Sequence, residues 1–113
     1  MVKIKDDSLY VSKALTDINA IIKYSSNKTY EEFMMDDELI DAVMFRLIQL
    51  VENIKGLSDE FKQNYQNIPW HKIIGFRNRI VHEYGETDYT AVYEIISRNI
   101  PVLKEVFESS YIK

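Results

Sequence analysis

Apolar and polar positions along this chain repeat with the period of a helix. From Tyr10, the residues Ala14, Leu15, Ile18, Ile21 and Ile22 recur three and four apart, one stripe of a helical surface. Asp7 and Ser8 stand where a capping side chain belongs. Ser25 to Lys28 is a polar break, and Thr29 followed by Glu31 and Glu32 predicts a short helix carrying Phe33 and Met34. A broader stripe predicts a second long helix from about Asp37 to Lys55, with Leu39, Ile40, Val43, Met44, Leu47, Ile48, Leu50, Val51 and Ile54 on its apolar face. Gly56 is expected to close it in the left-handed conformation. Ser58 opens a Ser-x-x-Phe start, with Asp59 and Glu60 in the first turn of a short helix bearing Phe61 and Tyr65. Pro69 predicts a helix start at or near the first helical position, leading through Ile73, Ile74, Phe76, Ile80 and Val81 to an end near Tyr84 and Gly85. Asp88 caps a final helix through Tyr89, Val92, Ile95, Ile96, Ile100, Leu103, Val106 and Phe107. Pro101 should kink it, having no N–H to donate.

Only three glycines and two prolines punctuate the sequence. The expected fold is therefore all-α, an antiparallel up-and-down helical bundle with a kinked C-terminal helix, in one domain over residues 1–113. A composition of 46% hydrophobic and 28% charged residues supports a real core. No apolar run approaches the roughly 18 residues of a membrane span. Met1 to Asp7 lacks the apolar segment of a secretory signal, so the expected location is cytoplasmic. The absence of cysteine excludes disulfides, thiolate zinc sites and a thiol nucleophile.

A net charge of −4 argues against indiscriminate nucleic-acid binding. The charge is uneven, however. Residues 31–41 hold Glu31, Glu32, Asp36, Asp37, Glu38 and Asp41 with no Lys or Arg, whereas residues 71–84 hold Lys72, Arg77, Arg79 and both histidines against Glu83 alone. A local positive patch on an acidic protein suits a partner that is anionic at one place.

That patch contains the one stretch that looks like chemistry: Arg77-Asn78-Arg79-Ile80-Val81-His82-Glu83-Tyr84. Arg offers a fork of donors to a phosphate and stays charged. His titrates near neutrality and serves as general acid or base. Asn78, four residues before His82, shares its face and can orient it or donate to a phosphate. Such parts serve metal-independent RNA cleavage, in which the 2′-hydroxyl attacks the adjacent phosphate while a cation stabilises the charge developing there. Spacing complicates this. Arg77 and His82 are five residues apart, about 140° around a regular helix. Either the helix distorts near its end, or two copies of the motif meet across a two-fold axis; the second arrangement is preferred, with help from the first. An Arg and a His this close occur by chance in many proteins.

The octapeptide nevertheless resembles the Arg-x4–6-His motif of the HEPN superfamily, and Arg-x4-His-x-Tyr resembles the HepT-like toxins of the HepT/MntA toxin–antitoxin systems. Arg77, Asn78, His82 and Tyr84 match the motif positions; Ile68-Pro69-Trp70 with Ile73 to Arg79 resembles the lead-in helix, and Asp88 with Val92 the stretch that follows. Arg46 and Glu52 fall where the family often has Arg and Glu, and the similarity runs from about Asp6 to Phe107. The resemblance implies a dimer whose two motifs face one another. It implies a metal-independent endoribonuclease with Arg77 and His82 catalytic and no cofactor. It also implies a cognate MNT-type nucleotidyltransferase antitoxin, which spends ATP to place AMP on Tyr84. An anionic adduct there would occlude the cleft and repel RNA. The alternative is a non-catalytic HEPN module that binds nucleotide or a nucleotidyltransferase partner. One departure is the bulky run Gln49-Leu50-Val51-Glu52-Asn53, where the family often has small residues.

Plainer roles compete at most positions. Arg79 and Lys72 are read as RNA-backbone contacts or solvated cations, and Asn78 is balanced between orienting His82 and a structural hydrogen bond. His71 is read as a surface residue, Trp70 as a core anchor, and Met34-Met35 with the following acids as a solvated helix start. Arg46 and Glu52, six residues apart, lie on different faces of one helix. Each is expected to pair with another helix, or Glu52 lines the cleft near Arg77.

Overall fold

Helix-starting side chains act where the sequence puts them. The computed structural model describes residues 7–82 and 88–112. These form α1 (Asp7–Ser25), α2 (Tyr30–Met34), α3 (Asp37–Lys55), α4 (Asp59–Asn64), α5 (Trp70–His82) and α6 (Tyr89–Glu94), then a π turn (Ile95–Asn99) running into α7 (Ile100–Ile112). Thr29 and Glu32 close a reciprocal capping box on α2. The bonds from Thr29 hold the Glu32 carboxyl below the usual carboxylate range. Asp36 accepts from the Leu39 N–H at 3.0 Å, Ser58 from Phe61 at 3.1 Å, and Asp88 from Thr90 at 3.0 Å. Each such cap is worth about 1 kcal/mol. In the break after α1, Asn27 takes a positive φ of 63°, which a short amide tolerates.

The apolar stripes meet in one contiguous core. α1 packs against both α3 and α7, α5 packs on α3, and α2 touches α3 and α6. Ala14, Ile18 and Ile21 of α1, Val43, Leu50 and Ile54 of α3, and Ile100 and Phe107 of α7 are wholly buried. Trp70 anchors the start of α5: its ring stacks on Phe107 at 6.3 Å, and its indole N–H donates to the carbonyls of Lys62 and Tyr65. No helix among the described residues is long and apolar enough to cross a membrane.

Several local details sharpen or correct the expectations. Gly56 follows α3 with φ −77° and ψ −15°, so it is not left-handed. What demands glycine there is close approach, since a Cβ would stand 2.6 Å from two atoms of the Tyr10 ring. Pro69 stands one residue before Trp70, near the first helical position as expected, and its carbonyl accepts from the Ile73 N–H at 3.1 Å. The Asp7 carboxylate accepts from the N–H and hydroxyl of Ser58 at 2.8 and 2.7 Å, tying α1 to the start of α4 rather than serving only its own helix. At Pro101 the chain meets the missing donor with the π turn, in which the Ile100 N–H bonds Ile95 five residues back. The bulky run in α3 is absorbed by the core: Leu50 and Val51 are buried, and the Asn53 amide donates to Asp17.

Candidate active site on the fifth helix

α5 carries opposed functional faces because Arg77 and Arg79 are two positions apart, about 200° around the axis. The Arg77 face meets α3. There the Arg77 Nε lies 3.1 Å from Glu52 Oε2, bridging the two helices. Nε is sealed from solvent, yet its N–H is not aligned for a hydrogen bond, so the contact is an ion pair without a directed bond. Arg77 Nη1 donates to Asn78 Oδ1 at 3.2 Å. Glu52, about half exposed, also lies 3.7 Å from Lys55 Nζ. Arg77 is thus held at one edge by a solvated carboxylate and at another by an amide. Glu52 pairs across helices, as one reading expected, and because its partner is Arg77 it also stands beside that arginine, as the other did.

The opposite face of α5 meets α6 and the π turn. Lys72, Phe76 and Arg79 line a crevice of about 120 Å³ there, with Glu94, Arg98 and Asn99 across it. The Arg79 guanidinium lies over the Phe76 ring at 5.5 Å. The two cations expected to contact RNA, Lys72 and Arg79, therefore share a surface, and it is not the surface of Arg77.

His82 is the last residue of α5. Its backbone continues the helix, which puts its position about 140° from Arg77 and about 60° from Arg79; its side chain lies outside the described residues, as do Glu83, Tyr84 and Gly85. The Asn78 carbonyl accepts from Arg77, and the expected contact of Asn78 with His82 falls on a side chain outside the described residues. His71 is exposed at the start of α5.

Arg46 belongs to a different construction. Its Nη1 donates to Asp17 Oδ1 at 3.1 Å, and the Asn53 amide donates to Asp17 Oδ2 at 2.9 Å. Asp17 is 4% exposed, the one buried charged side chain among the described residues. The bond to Asp17, helped by one to Tyr24, raises the Arg46 pKa above its ordinary value. Sequence reasoning missed Asp17. The available signal was an acid at helical spacing within the apolar stripe of α1, between Ala14 and Ile18.

The family model described as ribonuclease HepT-like matches residues 14–110. A Methanocaldococcus jannaschii protein named "Gamma-glutamylcyclotransferase and putative RNase" is 34% identical over 101 residues, 89% of this chain; the chain spans 46% of that relative's length. A "Putative RNase" of the same organism is 24% identical over 92% of this chain and 95% of its own. A "Probable ribonuclease HepT" from Thermococcus cleftensis is 26% identical over 88% of this chain and 90% of its own. No solved structure matches.

Proposed function

Because the chain belongs to the ribonuclease HepT-like family, we propose that it is a metal-independent endoribonuclease whose cleaving pair is Arg77 and His82. The observation that carries this reading is the placement of Arg77: a guanidinium fixed between Glu52 of α3 and Asn78. An arginine so placed is oriented through its sealed Nε edge, and its terminal nitrogens, one of which donates to Asn78, are the donors an incoming phosphate would meet. His82 would take the proton of a 2′-hydroxyl as its oxygen bonds to phosphorus. Arg77 would stabilise the added charge on the phosphoryl oxygens. The bond to the 5′ oxygen then breaks, that oxygen takes up a proton, and the products carry a 2′,3′-cyclic phosphate and a 5′-hydroxyl.

The angle of about 140° between the two positions on α5 favours a composite site. In this reading two copies of the chain pair with their α5 ends facing, and each cleft draws on both. Equilibrium sedimentation tests this: a dimer is expected, and a monomer at assay concentrations contradicts it. The chain is further proposed to be the toxin of a HepT/MntA-type pair, silenced when a cognate nucleotidyltransferase moves AMP from ATP onto Tyr84. Mass spectrometry after incubation with that partner and ATP should find adenylate on the peptide bearing Tyr84 and none on Tyr84→Phe. Cleavage of RNA in EDTA, with loss in Arg77→Ala and His82→Ala, tests the activity itself; full cleavage by either folded variant refutes the assignment.

A further inference from the structure

We propose that the crevice between α5 and the π turn, built by Lys72, Arg79 and Arg98, seats a backbone phosphate of the RNA flanking the cleaved one; this rests on the ribonuclease reading above. Arg98 carries no sequence signal of its own. It enters the crevice from the π turn, where five-residue hydrogen bonding re-aims side chains relative to an uninterrupted α-helix. Lys72 and Arg79 are seven residues apart, within about 20° on one face of α5. Three cations therefore converge from two elements.

Among the described residues, no ion pair neutralises them. The ion pairs among the described residues use Arg46, Lys55, Arg77 and Lys104, and none uses these three. Glu94 also lines the crevice, so among the described lining residues three cations face one carboxylate, a formal +2. On a chain of net charge −4, such a local gathering of positive charge is a favourable place for an anion. The crevice is small, about 120 Å³, and suits a single anionic group. The donors suit a phosphate, with forked guanidinium groups, a lysine point charge and the Asn99 amide around it. Because this face opposes Arg77, the phosphate held here is not the one cleaved. The diameter of α5, about 10 Å, is the span a few nucleotides would cross between the two sites.

Binding of a 2′-O-methyl oligoribonucleotide, which keeps the phosphates but lacks the attacking hydroxyl, is the test. Its affinity is measured across a salt series by fluorescence anisotropy. Arg98→Ala and Lys72→Ala are each expected to weaken binding roughly fivefold at 0.1 M salt and to lower the log–log salt slope by about 0.7, the share of one single-strand phosphate contact. Arg98→Lys should recover most of the slope, and Lys23→Ala, an exposed lysine on α1, should leave slope and affinity at the wild-type values. Unchanged slope and affinity in folded Arg98→Ala and Lys72→Ala overturn the proposal; that is also the result expected if the crevice instead receives a carboxylate of an acidic protein. If the wild-type chain binds with these dependences but cleaves no RNA, the nuclease reading fails and the crevice stands. If it cleaves while Arg98→Ala binds normally, the crevice fails and the nuclease stands.

Discussion

Two arginines reach from one helix to a carboxylate on another, and they are held in opposite ways. Arg46 meets Asp17 with an aligned hydrogen bond, on a carboxylate 4% exposed whose second oxygen is filled by Asn53. Arg77 meets Glu52 at the same 3.1 Å, but without hydrogen-bond alignment, and on a carboxylate whose side chain is 46% exposed. The first arrangement gives each oxygen of the buried carboxylate a donor and fastens α1 to α3. The second leaves donors unspent beside a solvated acid. Distance alone would call them equivalent; burial and alignment separate a structural clamp from an arginine available to a ligand.

Substitutions can break or sharpen that contrast. The largest effect is expected from Arg77→Ala, with RNA cleavage falling about 10³-fold, the loss typical of removing a group that stabilises transition-state charge. Its unfolding free energy should change by less than about 1 kcal/mol, because the pair it breaks is partly solvated. Arg46→Ala should do the reverse. It strands the buried Asp17 carboxylate and should cost about 3 kcal/mol in urea unfolding, while the protein that remains folded cleaves normally. Asn53→Ala removes one hydrogen bond to that carboxylate and should cost about 1.5 kcal/mol. Glu52→Gln is the smallest, below about 1 kcal/mol. Double-mutant cycles put both pairs on one scale: the Arg46–Asp17 coupling should exceed about 2 kcal/mol and persist in 1 M salt, whereas the Arg77–Glu52 coupling should be under about 1 kcal/mol and vanish there. Equal couplings would erase the distinction.

What the sequence disclosed follows the range of the interactions. Thr29, Ser58 and Asp88 cap helices through neighbours two or three residues away, so local pattern sufficed to find them; Asp36 caps α3 in the same way, but local pattern marks it only as part of a solvated helix start. The apolar stripes fixed which faces of α1, α3 and α7 are buried for the same reason. The Asp7–Ser58 and Asp17–Arg46 bonds join residues 51 and 29 apart, and no local periodicity encodes such partners. Gly56 shows the same limit. Its type announced a helix end correctly, but the reason for glycine is the Tyr10 ring packed against it from α1. At the candidate site, the motif named Arg77 and the helix geometry exposed its angular conflict with His82. The opposition of the Arg77 face to the Lys72 and Arg79 face also follows from spacing. Arg98 does not, because the π turn that delivers it to the crevice is a response to Pro101 that periodicity alone does not place.

The most direct test of the central claim is a cleavage time course on single-stranded RNA in EDTA, comparing wild type with Arg77→Ala after matched thermal melts show both folded. The expected result is fragments ending in 2′,3′-cyclic phosphate from the wild-type chain and about a thousandfold slower cleavage by the variant. Equal cleavage by the two proteins would contradict the account.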